Sequence, residues 1–198
     1  MRATSLSDAD IAYIRANFRT LPELCHERAA SLDKVRALIR ARRLPAPSYL
    51  LPDGSEMVPA DYFALVDEVG GPERLREQFE RRHRAAGGPA DEFEADWQCY
   101  LDGTYGICLR SVSPEAIVRK GLLVRSIEAL LEHEAPNDPV WRSALRAQVA
   151  EFDALEREFS PDYDRHRFDR PPSRDRLIAV ARDRYPQLFA TAAGARGR

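Results

Sequence analysis

The chain has 198 residues, 44% of them hydrophobic and 31% charged, which is ordinary for a globular protein and long enough to bury one sizeable core. A formal net charge of -2 gives no overall basic field for nucleic acid and no polybasic anchor for a membrane. Of the 30 Lys and Arg residues only Lys34 and Lys120 are lysines, a skew that points to a GC-rich bacterial coding sequence more than to a phosphate-binding surface.

Ser7, followed by Asp8 and Asp10, opens a helix that carries Ile11, Ile14 and Phe18, and Leu21-Pro22 interrupts it. A second helix starts near Ser31 and uses Leu32, Val35, Leu38 and Ile39 as its apolar face, with Arg36, Arg40, Arg42 and Arg43 as a charged outer face. Tyr49 to Val58 holds Asp53-Gly54 at its centre and reads as a β-hairpin that must pack on the helices, as a connector or a flap. Gly70-Gly71-Pro72 and Gly87-Gly88-Pro89 then punctuate helices expected over 60–69, 73–86 and 91–101. Arg81-Arg82-His83-Arg84 forms a basic cluster at one helix end, where cations suit the dipole.

The chain is organised around 113–159. Ser113-Pro114-Glu115 starts one long helix with Ile117, Val124, Ile127 and Leu131 on its apolar stripe. Asp138-Pro139 starts a second, with Trp141, Leu145, Val149, Phe152, Leu155 and Phe159, a stripe worth on the order of 10 kcal/mol of gross stabilisation. The short turn between them makes the pair antiparallel neighbours. Gly121 interrupts the first stripe, either to let a crossing element approach closely or to clear space for a ligand. After Phe159 a segment dense in charge, aromatics and proline reads as an extended connector to a last helix from Ser173 to Tyr185. The fold expected is mostly α, one helical domain of seven or eight helices over 1–190 with the small hairpin, and a disordered tail over 191–198.

Chemistry is sparse. Cys25, Cys99 and Cys108 form no Cys-x-x-Cys, and His26, His83, His133 and His166 are scattered, so no metal site and no cofactor is expected. The Met1 to Asp10 segment lacks the basic and apolar regions of a signal peptide, and no run of 18 apolar residues occurs, so a cytoplasmic protein with reduced thiols is expected. The stretch from Asp96 to Arg110 gathers aromatics, a thiol and an arginine just before the helix at Ser113. Tyr105, Cys108 and Arg110 are therefore the candidates for binding an anionic ligand. Against that stands a reading in which Trp97, Tyr100, Ile107 and Leu109 are core, Arg110 pairs with an acid and Cys108 is buried and inert. Glu151, Glu156 and Glu158 read as outer decoration of the long helices.

Three stretches carry a resemblance: Tyr49 to Phe63; Tyr105 to Arg110 with Pro114-Glu115; and Phe159-Ser160-Pro161 with Arg170-Pro171 and Ser173 to Ile178. Over residues 20 to 186 the chain resembles an uncharacterised actinobacterial family, a domain of unknown function labelled as natural product biosynthesis proteins. The resemblance implies a bacterial natural product pathway, antibiotic biosynthesis among them, and an association with routes to aziridine-bearing amino acids in which a small protein is the partner subunit of an enzyme. It supplies no catalytic residues. Two functions follow as expectations. The first is a helical partner or accessory subunit of a biosynthetic enzyme complex, with Tyr163, Arg165, His166, Arg167 and Phe168 as interface candidates because aromatic and arginine-rich segments are common at interfaces. The alternative is a metal-free enzyme acting on a small anionic, amino-acid-like metabolite. Neither a nucleic acid nor a membrane partner is expected.

Overall fold

Twelve α-helices and one small sheet make up the described residues of the computed structural model, which are 5–167 and 171–190. The helices are α1 Asp8–Asn17, α2 Leu21–Glu27, α3 Leu32–Arg40, α4 Ala64–Glu68, α5 Leu75–Ala85, α6 Phe93–Leu101, α7 Thr104–Cys108, α8 Pro114–Glu132, α9 Pro139–Leu155, α10 Tyr163–Arg167, α11 Val180–Arg184 and α12 Pro186–Phe189. A π-helical segment, Arg174–Ala179, runs straight into α11. The mostly α architecture expected from the sequence is the one observed. The helix count is higher because several connections contain helices of only four to seven residues. The tail over 191–198 lies outside the described residues.

The long pair forms for the reasons its sequence gives. Ser113 caps α8 by accepting from the Ala116 N–H, Asp138 caps α9 by accepting from the Val140 N–H, and each helix carries its proline in the first turn. Arg119 reaches Glu151 at 2.5 Å while the Trp141 indole donates to the Leu130 carbonyl at 3.0 Å. Those pairings run in opposite directions along the two helices, so α8 and α9 are antiparallel. Trp141 and Phe152 are buried. Phe159 is not part of α9, which stops at Leu155 because Glu156 turns extended and bridges Leu109.

The pair is a spine more than a centre, because it contributes to two of the three buried clusters and leaves the third to other elements. One gathers Phe79, Trp97, Tyr100 and Leu75 from α5 and α6 with Ile117 of α8. Its rings meet at favourable offset and edge angles, Phe79 lying 5.2 Å from Trp97 and 5.1 Å from Tyr100. A second joins Leu123 and Ile127 of α8, the stripe of α9, and Leu177 to Leu188 of the last helices. A third packs Ile14 of α1, with Phe18 just past its end, on Tyr49, Leu51, Met57 and Ile107.

That third cluster carries the sheet. The hairpin forms where Asp53-Gly54 places it, as β2 Tyr49–Leu50 and β3 Glu56–Val58. A further strand, β1 Arg19–Thr20, pairs antiparallel with the other edge of β3 and gives the order β1-β3-β2. Leu21-Pro22 therefore begins a helix and does not merely end one. Thr20 accepts from the Glu23 N–H and Glu23 returns a bond to the Thr20 N–H, the reciprocal capping box that tolerates proline in the first turn.

The connector after Phe159 is likewise helical in part. Asp164 donates its N–H to Ser160 Oγ at 3.1 Å and its carboxylate accepts the Ser160 N–H at 2.8 Å, which closes α10 where an extended segment was expected. Asp10, fully buried, anchors the same segment by accepting from the backbone N–H groups of Asp162 at 2.9 Å and Tyr163 at 3.0 Å. Burial alone would raise the Asp10 carboxyl, but those donors and Ser7 hold it far below the ordinary carboxylate range. Because its folded value is depressed, this contribution is present above about pH 4, the unfolded carboxylate value, and is lost as the pH falls through the folded value. Asp10→Ala should cost about 2–3 kcal/mol in urea unfolding at pH 7 and flatten the acid limb of the stability profile.

Candidate functional site

α6, α7 and α8 converge beside the π-helical segment and leave two compartments that share a wall. One, of about 200 Å³, is lined by Thr104, Cys108, Lys120, Phe159, Ser173 and Arg176 among others. The other, of about 350 Å³, is lined by Asp96, Tyr105, Lys120, Gly121, Arg125 and Glu128 among others. Lys120 and Val124 of α8 line both. Lys120 is therefore the residue around which the site is built.

Its position follows from helical spacing. Lys120 comes three residues after Ile117 and four before Val124, so it shares their side of α8 and its ammonium must find a partner there. The partner is Glu156, fully buried, whose Oε1 lies 2.7 Å from Lys120 Nζ. The same oxygen accepts from Ser173 Oγ at 2.7 Å, while Oε2 is buried with no hydrogen-bond partner among the described residues. Burial would push the Lys120 ammonium down, but the Glu156 carboxylate beside it holds it above its ordinary value. Its charge thus persists through the neutral range.

A second polar chain enters the larger compartment. Tyr105 donates its hydroxyl proton to Asp96 Oδ1, and Asp96 Oδ2 lies 2.9 Å from His83 Nε2. Burial, and then the bond to Asp96, pushes the Tyr105 phenol far above its ordinary value, so it is a neutral donor. His83 comes four residues after Phe79 and is fully buried, its ring seated on Gly88, where a Cβ would lie 2.2 Å from Cε1. Its Nδ1 is buried without a partner among the described residues.

The basic cluster around His83 thus dissolves into separate pairings. Arg82 holds Glu115 through two bonds at 2.7 and 2.8 Å and Glu68 at 2.8 Å, Arg84 holds Glu80 at 2.5 Å, and Arg81 holds Gln78.

Tyr105 and Cys108 line adjoining compartments, whereas Arg110 is exposed and lines neither. Gly103, with φ +73°, turns α6 into the short α7 that aims Tyr105 and Cys108 inward. Leu109 then turns extended, so Leu109 points into the core and Arg110 to the outside, beside Arg157 and Tyr13. Lys120 and Arg176 supply the cationic groups in its place. Burial pushes the Cys108 thiol up, with Lys120 offsetting part of the rise, and Sγ lies against the carbonyls of Thr104 and Tyr105 at 3.8 and 3.7 Å. It is a neutral buried thiol, not an activated nucleophile.

Gly121 has nothing crossing it. A Cβ there would meet only the Arg125 guanidinium, at 3.6 Å, so the close approach of another element does not explain the residue. Glu156, read from the sequence as outer decoration, is the buried counter-ion of the site. Among the described residues no group of three or more His, Cys, Asp and Glu side chains is placed to hold a metal, and no helix is long and apolar enough to cross a membrane.

Of the interface candidates, Tyr163 packs on Tyr49 with ring centroids 6.5 Å apart, and Arg167 lies over both rings and donates to the Ser48 carbonyl at 2.9 Å. Arg165 pairs with Asp175 at 3.3 Å, and His166 lies 2.8 Å from the Asp162 carbonyl, both side chains remaining exposed. Phe168 lies outside the described residues.

The fold and site together define a mostly α-helical protein whose cleft is centred on a partly buried lysine paired with a buried glutamate. The model of a family of unknown function, DUF6058, matches residues 73–186, more than half of the chain, and the chain belongs to that family. No curated protein and no solved structure matches it. The matched span contains every residue lining the two compartments, together with His83 and Glu156. The sheet and α1 to α4 precede it.

Lys120→Met, which leaves Glu156 buried without its counter-ion, should cost about 3–5 kcal/mol in urea unfolding. Adding Glu156→Gln should recover most of that loss, and the double-mutant cycle measures the coupling.

Proposed function

We propose that this chain is a natural product biosynthesis protein of the bacterial cytoplasm, a helical partner or accessory subunit of an enzyme complex, whose own contribution is the Lys120 cleft. The ligand is a small anionic, amino-acid-like metabolite. The observation that carries the ligand reading is the 200 Å³ compartment in which Lys120 and Arg176 meet, with Arg176 Nε buried and without a hydrogen-bond partner among the described residues. Donors of this kind match a carboxylate, and an arginine suits its planar geometry. The biosynthetic setting is supported by the resemblance over the hairpin, the Tyr105 to Arg110 stretch and the Ser173 to Ile178 stretch. The partner reading draws on Arg165 and His166, exposed on α10, where Arg165 pairs with Asp175 of the segment that also supplies the cleft-lining Ser173 and Arg176.

A metal-free enzyme acting alone is the second reading, favoured by the Tyr105–Asp96–His83 chain, which offers the larger compartment a carboxylate held in place by a phenol and an imidazole, the arrangement of a general base. Two measurements test the proposal. Isothermal calorimetry with L-glutamate, succinate and butylamine should show binding of the acids alone, and Lys120→Met with Glu156→Gln should weaken it at least tenfold. Co-expression with the products of adjacent genes should give a complex on size-exclusion chromatography. A chain that takes up no acid loses the ligand reading, and one that co-migrates with none of those products loses the partner reading.

A further inference from the structure

Glycine is the least favourable residue after proline inside a helix, and Gly121 occupies the middle of the 19-residue α8. Neither backbone nor packing accounts for it. Its φ is not in the left-handed region, and the nearest atom to a Cβ would be the Arg125 guanidinium at an ordinary contact distance of 3.6 Å. The residue does, however, line the compartment of about 350 Å³. A side chain there would take space from that compartment without gaining any tight contact in return.

The groups around that space differ in kind from those on the far side of Lys120. Arg125 is held by Glu92 at 3.1 Å, Glu128 by Arg176 at 2.5 Å, and Lys120 by Glu156. Asp96 is the carboxylate lining this compartment that no Arg or Lys holds, its partners being Tyr105 and His83. Because Tyr105 spends its proton on Asp96, its hydroxyl oxygen has only lone pairs left to offer. Both groups therefore accept hydrogen bonds, and what they match is a donor. Across Lys120 the smaller compartment offers the opposite, the Arg176 guanidinium and the ammonium itself.

We propose that Gly121 is the size-determining residue of the cleft and that the space above it takes the amine-bearing end of the ligand, met by Asp96 and Tyr105, while the carboxylate end lies across Lys120 toward Arg176. This rests on the reading of the cleft as an anionic metabolite site and sharpens it to a dipolar molecule, an amino acid held end to end. The ligand's amine and carboxylate are then read by different elements, α6 and α7 for the one and the π-helical segment for the other.

Calorimetry on the full chain with two probes tests this: L-glutamate, and glutarate, the same skeleton without the amine. The unaltered protein should bind L-glutamate at least tenfold more tightly than glutarate. Asp96→Asn should remove that preference by weakening L-glutamate at least tenfold without weakening glutarate. Gly121→Val should weaken L-glutamate at least tenfold. Gly121→Ala should weaken it less while raising the thermal midpoint by about 2–4 °C, since alanine is the better helix former, and so separates loss of space from loss of fold. Equal affinity for the two probes, or a Gly121→Val protein that binds L-glutamate as before, overturns the inference alone. Failure of the unaltered protein to bind either acid overturns the proposed ligand reading as well.

Discussion

A carboxylate with no access to water has to be neutralised where it stands, and Glu156 is such a group. Three separate pieces of chain converge to satisfy it and its backbone. Lys120 of α8 and Ser173 share one of its oxygens, and Arg174 donates to its carbonyl at 3.2 Å. Leu109, at the end of α7, bridges it, and the next residue, Arg157, donates its N–H to the Cys108 carbonyl at 2.9 Å. The walls of both compartments are placed by this knot. Without it α7 and the π-helical segment would have no common reference, and the cleft between them would have no fixed width.

The elements that could be read from the sequence are those whose signals are local. Ser113-Pro114 and Asp138-Pro139 place the starts of α8 and α9, and Asp53-Gly54 places the hairpin. What escaped depends on contacts distant in sequence or on reciprocal caps. Arg19–Thr20 becomes a strand only because Met57 and Val58 lie beside it, and Leu21-Pro22 reads as a break unless Thr20 and Glu23 are paired. The same holds for α10, which Ser160 and Asp164 close between them.

The site was legible in part for a similar reason. The crowding of Tyr105 and Cys108 before α8 pointed to the right neighbourhood. Arg110 does not follow them inward because extended backbone sends successive side chains to opposite sides. The polar residues that matter most, Lys120, Glu156 and His83, each stand three or four residues after an apolar residue of a helical stripe, Ile117, Phe152 and Phe79, although Glu156 itself lies just past the end of its helix. A charge on a greasy stripe was the available signal. Its meaning depended on knowing that Lys120 and Glu156 face each other, and helical periodicity cannot say that. The many arginines told less, since most pair with nearby acids at the surface, as Arg15 does with Asp53 and Arg42 with Asp102, and such pairs contribute little.

The scarcity of lysine has a practical side. Lys34 is exposed on α3, whereas Lys120 is mostly shielded and bound to a carboxylate. Besides the terminal amine these are the only primary amines in the chain. Reagents that acylate amines would mark Lys34 at once and Lys120 slowly, so the ratio of the two marks, read by peptide mass, becomes a gauge of whether the cleft is filled. The same scarcity makes lysine-directed cross-linkers poor tools for catching a partner of this protein, and carboxylate-directed ones the better choice.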